Sequence, residues 1–191
     1  CGVELLVEIA RLFAGLGHHD VNGHFRLDGV TGPDEYTAVV NNNVFTNLAA
    51  QLALRDGVAW VHRRPDLAQK YGVTNAEAAH WESCADDMTI PYDDALGVHQ
   101  QCEAFTLLGA WDFAASVGKY PLLLNYPYYD LYRKQVVKQA DLVFAMYMFG
   151  RAFTEEQKLR NFDYYYPLTV RDSSLSACCE AVTAAEVGYP D

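Results

Sequence analysis

The chain has 191 residues, of which 51% are hydrophobic, with no low-complexity tract, so it holds enough apolar material for one ordinary domain and lacks the composition of a disordered segment. Fourteen Lys and Arg against 25 Asp and Glu give a net charge of -11 and a pI near 4.8, which argues against nucleic acid as a partner and leaves any anion site to local geometry. No run approaches the ~18 apolar residues of a membrane span, and the first residues have neither the charged stretch nor the apolar core of a signal peptide. The sequence starts with Cys1 and reads as opening inside a helix, as expected for a portion of a longer chain. Five cysteines without framework spacing fit reduced thiols and a cytoplasmic protein, and the scattered histidines, His18, His19 and His24 included, lack the regularity of a zinc site.

In chain order, residues 3–16 place Leu5, Leu6, Ile9, Leu12, Phe13 and Leu16 at helical spacing, ended by Gly15 and Gly17. A loop and a short strand follow, with Phe25 and Leu27 alternating against His24, Arg26 and Asp28. A long helix is predicted from Asn43 to about Arg64, stopped by Pro65, and another over 75–87 with Thr74 or Asn75 as cap. The stretch from Met88 onward has no helical period. Its His99, Gln100, Gln101 and Glu103 suit either sugar contacts or an exposed polar loop. Residues 111–135 are rich in aromatic residues and proline. Such rings can stack on sugars, although packing against a helical core accounts for most of them. Val136–Phe149 reads as an apolar helix with Lys138, Gln139 and Asp141 embedded, and buried charge there needs a partner, either Asp141 or a substrate hydroxyl. Thr154-Glu155-Glu156 opens a helix to about Tyr165, and a final helix is predicted over 175–187, capped by one of Ser173, Ser174 or Ser176.

One stretch organises the rest. In Val30-Thr31-Gly32-Pro33-Asp34-Glu35-Tyr36 a Gly-Pro turn carries two adjacent carboxylates and an aromatic ring, with Asn41–Asn43, Thr46 and Asn47 behind it. On its own this is either a turn leading into a helix N-terminus or a corner of a sugar site.

Gly32–Tyr36 followed by Asn42-Asn43 and Thr46-Asn47 resembles the GPDEY…NN…TN signature of glycoside hydrolase family 65. That family holds inverting maltose, trehalose and kojibiose phosphorylases and some trehalose-type hydrolases. Lys138-Gln139-Ala140-Asp141 resembles its KQAD element, and Tyr164–Ser176 its YYEPxTxHDSSLS stretch, with Tyr166 where Glu is common and Arg171 where many phosphorylases carry His. The likeness runs from Leu5 to Gly188. It implies one all-α domain, a partial (α/α)6 barrel of about six helices with short β pieces in its loops. It also implies Glu35 as general acid, which calls for burial or the neighbouring Asp34 charge to keep it protonated. Lys138 and Gln139 would hold the glucosyl unit, and Arg171, Ser173 and Ser174 the phosphate. The expected partners are a disaccharide and inorganic phosphate as co-substrate, with no metal or organic cofactor, no nucleic acid and no membrane; a homo-oligomer is left open. A hydrolase of the family would need a base instead, with Glu103 and Asp172 as candidates, and a third reading is a catalytically incomplete fragment.

Overall fold

The computed structural model describes residues 2–189, which form eight α-helices and three two-stranded sheets. The chain divides into two compact units, one of residues up to Asp28 with Thr46–Ile90, the other of Gly29–Phe45 with the residues from Pro91 on.

The first unit is helical. Helix α1 (Gly2–Leu16) buries Val7 and Ala10, and the antiparallel pair β1 (His18–His19) and β2 (Phe25–Arg26) follows. Helix α2 (Val44–Arg63) has most of its length in this unit, followed by α3 (Pro65–Lys70) and α4 (Asn75–Asp86). Pro65 ends α2, as the sequence suggests, and also starts α3 as its first residue, where the missing N–H costs nothing. Thr74 caps α4 by accepting from Glu77 N–H at 3.1 Å. A glycine inside α2 runs against helix propensity by about 1 kcal/mol. A Cβ at Gly57 would lie only 3.1 Å from Ala10 Cβ and 3.4 Å from the Trp81 ring, so the exception permits close packing of α1 and α4 on α2. Trp81 is 1% exposed, and Leu54 and Cys84 are fully buried beside the other core residues of this unit.

The second unit mixes loops with helices. Val30 and Val40 exchange both backbone hydrogen bonds at 2.8 Å and so close the loop that carries residues 31–39. Strands β3 (Tyr92–Asp93) and β4 (Val98–His99) form a hairpin, while β5 (Gly109–Ala110) pairs in parallel with β6 (Lys134–Gln135). Helix α5 (Tyr128–Leu131) lies between the latter two. Helix α6 (Asp141–Met148) packs on both α7 (Glu155–Tyr165) and α8 (Ser174–Glu186). Thr154 and Gln157 form a capping box at the start of α7.

The helix predicted over 136–149 begins only at Asp141. Its first residues are drawn into other hydrogen bonds: Val137 N–H donates to Leu168 C=O, Val170 N–H donates to Val137 C=O, and Lys138 N–H donates to the Asp34 carboxylate. A backbone whose donors are already taken from outside cannot continue a helical ladder through them. The aromatic segment packs largely as expected. Trp111, Phe113 and Tyr126 cover a buried cluster of Tyr36, Leu122, Leu131 and Val136, whereas Tyr120, Tyr128, Tyr129 and Tyr132 remain exposed. Among the described residues no helix is long and apolar enough to cross a membrane.

Candidate active site

The Gly32–Tyr36 turn is held from beneath by two buried carboxylates. Asp34 points inward, 1% exposed. Its Oδ1 accepts from Tyr36 N–H at 3.1 Å and Lys138 N–H at 2.9 Å, and its Oδ2 from Gln101 Nε2 at 2.8 Å and Thr37 Oγ1 at 3.2 Å. Four donors fill the four lone-pair positions of one carboxylate. Asp141, also fully buried, accepts from Asp34 N–H at 2.6 Å and Asn43 Nδ2 at 2.7 Å. Its own N–H donates to Gln101 Oε1 at 3.2 Å. The Gln101 amide therefore bridges the two, donating to one and accepting beside the other. Burial pushes both carboxyls up from their ordinary range; the four donors pull Asp34 back, while the charge of Asp34 raises Asp141 further.

Gly32 is needed at this point because a Cβ there would collide with Asp141 Oδ2 and the Asn43 side-chain amide. Gln101 is itself seated by Tyr165, whose hydroxyl accepts from Gln101 N–H at 2.7 Å and donates to His99 C=O at 3.1 Å. The polar stretch after Met88 is thus not an exposed loop in its central part: His99 and Gln101 are buried and serve the protein interior. Burial pushes the His99 imidazole down, partly offset by Asn161, whose Nδ2 lies 3.1 Å from Nδ1.

With Asp34 turned inward, Glu35 turns outward. Its side chain is about half exposed, at 54%, so burial does not supply the environment that an acid role calls for. Its carboxylate pairs with the ammonium of Lys138, 103 residues further along the chain. Tyr128 Oη donates to Glu35 C=O at 3.3 Å. Lys138 is thus bound twice to the motif, by its backbone at Asp34 and by its side chain at Glu35. The sequence offered Asp141 as a structural partner for Lys138; in the structure Asp141 serves Asp34 and Asn43 instead. Gln139 is buried, and its Oε1 has no hydrogen-bond partner among the described residues. It lines a cavity of about 90 Å³ with Pro33, Ala140, Phe144, Leu175 and Cys179.

The 171–174 segment is fixed separately. Tyr36 Oη donates to Asp172, which also accepts Leu122 N–H at 3.2 Å; burial, then this acceptor, raises the Tyr36 phenol. Ser173 is the cap of α8 and accepts from Leu175 N–H at 3.2 Å, and Ser174 is the first residue of that helix. Arg171 takes a positive φ of 60°. Its guanidinium donates to Tyr166 C=O at 3.0 Å, Thr169 C=O at 3.1 Å and Glu180 Oε2 at 3.2 Å, and stacks 4.1 Å over the Tyr166 ring. Three of its five N–H donors are therefore used within the protein. Glu103, the other candidate base, accepts from Asn42 Nδ2 at 3.1 Å.

The profile of the glycosyl hydrolase family 65 central catalytic domain matches residues 1–191. The chain belongs to glycosyl hydrolase family 65. A Mycobacterium tuberculosis protein named only as an uncharacterized glycosyl hydrolase is 58% identical over 189 residues, covering 99% of this chain and 24% of that protein. The α,α-trehalose phosphorylase of Geobacillus stearothermophilus is 41% identical over 199 residues, covering all of this chain and 26% of the relative. A solved structure named as a candidate kojibiose phosphorylase from the human microbiome superposes with a TM-score of 0.87 at 28% identity, over 98% of this chain and 28% of that one. The chain spans about a quarter of the length of the curated family 65 relatives it matches.

The motifs read from the sequence as family marks converge in part. Glu35 and Lys138 meet, and Ser176 Oγ donates to Lys138 C=O at 3.2 Å, which joins the start of α8 to the same segment. Sequence reading missed Thr37 and Tyr165 as partners of this arrangement. Tyr165 lies one helical turn after Asn161, both fully buried, and that spacing was the available signal.

Proposed function

We propose that the protein of which this chain is a part performs inverting phosphorolysis of an α-linked glucose disaccharide of the maltose, trehalose or kojibiose type, releasing β-glucose 1-phosphate. The observation that carries the reading is the meeting of Glu35 and Lys138 on a turn fixed by buried Asp34 and Asp141; the ion pair itself favours the carboxylate, so Glu35 takes up its proton once substrate draws Lys138 away. In this reading the chain forms one part of an (α/α)6 barrel in a single catalytic domain, and Glu35 is the general acid. Its proton passes to the glycosidic oxygen as the bond to C1 breaks, while a phosphate oxygen bonds to C1 from the opposite ring face. The proton shed by the new phosphate ester restores the carboxyl. Phosphate arrives already anionic, so positioning replaces a catalytic base. Lys138 exchanges Glu35 for glucosyl hydroxyls when substrate enters, and the unpartnered Oε1 of Gln139 accepts from another. Ser173, Ser174 and the two remaining donors of Arg171 hold phosphate, and no metal or organic cofactor takes part. A cytoplasmic location fits substrates of this kind.

A hydrolase is the second reading, favoured by the glycosyl hydrolase name of the Mycobacterium tuberculosis relative. It needs Glu103 or Asp172 as base, and the structure already engages these with Asn42 and with Tyr36 and Leu122. Incubating the full-length protein with each disaccharide, with and without phosphate, decides between them. Phosphate-dependent β-glucose 1-phosphate is the expected product, and phosphate-independent glucose release would establish the hydrolase. Turnover by the full-length protein but not by the isolated chain would mark the chain as an incomplete fragment. Glu35→Gln should lower disaccharide turnover by about 10²–10⁴-fold; unchanged turnover would remove Glu35 from the acid role.

A further inference from the structure

We propose that Asp34, Gln101 and Asp141 act together as positioning residues that set where the Glu35 carboxyl and the Lys138 ammonium stand relative to the bond being cleaved. The proposal rests on the reading of Glu35 as the acid and deepens it. None of the three faces substrate, since each is no more than 1% exposed.

Three features make the arrangement more than core filling. It joins three distant segments, with Asp34 bonded to Gln101 across 67 residues and to Lys138 across 104, and Asp141 bonded to Asp34 across 107. The bonds fall on the backbone beside exposed Glu35 and half-buried Lys138. Asp141 holds the N–H of Asp34, the residue adjacent to Glu35, and Asp34 holds the N–H of Lys138 itself. The Cα atoms of neighbouring residues are fixed about 3.8 Å apart, and Asp34 also holds the N–H of Tyr36, so the Glu35 backbone is restrained on both sides. Finally, the Gln101 amide is polarised in one sense, with Nε2 toward Asp34 Oδ2 and Oε1 toward Asp141 N–H. Apolar residues would fill this space at less desolvation cost if packing were the whole requirement.

A group that positions an acid matters in proportion to how much the leaving group needs a proton. α-Glucosyl fluoride leaves as a weakly basic anion and needs little protonation, whereas a sugar alkoxide needs it fully. Gln101→Leu and the milder Thr37→Val, which removes one donor to Asp34 at 3.2 Å, are made in the full-length protein and assayed with phosphate on both substrates, with Glu35→Gln in parallel. The expected result for Gln101→Leu is a fall in kcat of about 10²-fold on the disaccharide, as for a misplaced catalytic group, with fluoride turnover within about threefold of the parent. Thr37→Val should show the same selectivity at about three- to tenfold, and it decides the matter if Gln101→Leu does not fold. Equal losses on both substrates, a rise in KM alone, or unchanged rates with only a lower melting temperature would overturn the proposal and leave these residues structural. Full disaccharide turnover by Glu35→Gln would instead overturn the acid reading and this inference with it, an outcome the other variants do not mimic.

Discussion

The two compact units bury different chemistry. Of the fully buried polar and charged side chains among the described residues, Asn47 is in the first unit, and the rest, from Asp34 to Thr183, are in the second. The first unit is built on Val7, Ala10, Leu54, Trp81 and Cys84, and its ion pairs, such as Arg11 with Glu77, lie toward its surface. The second places Asp34, Gln101, Asp141 and Asn161 inside, where each must find partners or cost stability. A helical scaffold needs only packing. A unit that must fix the direction of a carboxyl needs hydrogen bonds, which carry orientation where apolar contacts do not.

That contrast can be broken, and the largest expected effect is in the first unit. Trp81→Ala should lower unfolding free energy by about 3–5 kcal/mol in denaturant titrations while leaving kcat of the surviving folded enzyme unchanged. A matching loss of kcat would show that the apolar unit also serves the site. Gly32→Ala, in the second unit, should lower stability by roughly 1–3 kcal/mol through overpacking against Asp141 and Asn43, and turnover by about 10²-fold. A loss of stability without a loss of rate would make the turn merely structural. Thr154→Ala removes the capping box of α7 and should cost about 1 kcal/mol without altering kinetics, separating the scaffold inside the second unit from its site.

A gradual dependence on pH is expected as well. Asp141 is raised well above its ordinary value by burial, then by the Asp34 charge, with Asn43 and the Asp34 N–H opposing. A carboxyl raised in the folded state costs stability above its folded pKa, and that cost is relieved as pH falls through it. The stability of the parent relative to Asp141→Asn should therefore grow as pH falls through the raised pKa towards the ordinary carboxylate range, with a slope of at most about 1.4 kcal/mol per pH unit. A constant gap would mean that Asp34, not Asp141, takes the proton.

Much of the fold was legible because local rules settled it. Helices α1, α2, α4, α7 and α8 begin and end within a residue or two of their predicted limits, marked by Thr74, Thr154, Ser173 and Pro65. Residues 136–140 were not legible, since an apolar run reads as helix until Asp34 and Leu168, distant in sequence, claim its backbone donors. The candidate site follows the same division. Glu35, Lys138 and Gln139 were flagged by motif, and their side chains show why a motif is insufficient: the inward turn of Asp34 rests on Gln101 and Lys138, 67 and 104 residues away. Arg171 stands out by its place in the family-like stretch, where many phosphorylases carry His, while the carbonyls of Tyr166 and Thr169 that hold it become visible only once the chain has turned back.

The tethering of Arg171 has a consequence for spectroscopy. A surface guanidinium normally spins about its bonds and trades its protons with water too fast to be followed. One stacked on Tyr166 and bonded at three points, with Nε–H directed at Glu180, should keep a resolved Nε–H resonance near neutral pH. That single proton would make a built-in reporter, and its displacement on adding phosphate would be read in a titration without any label.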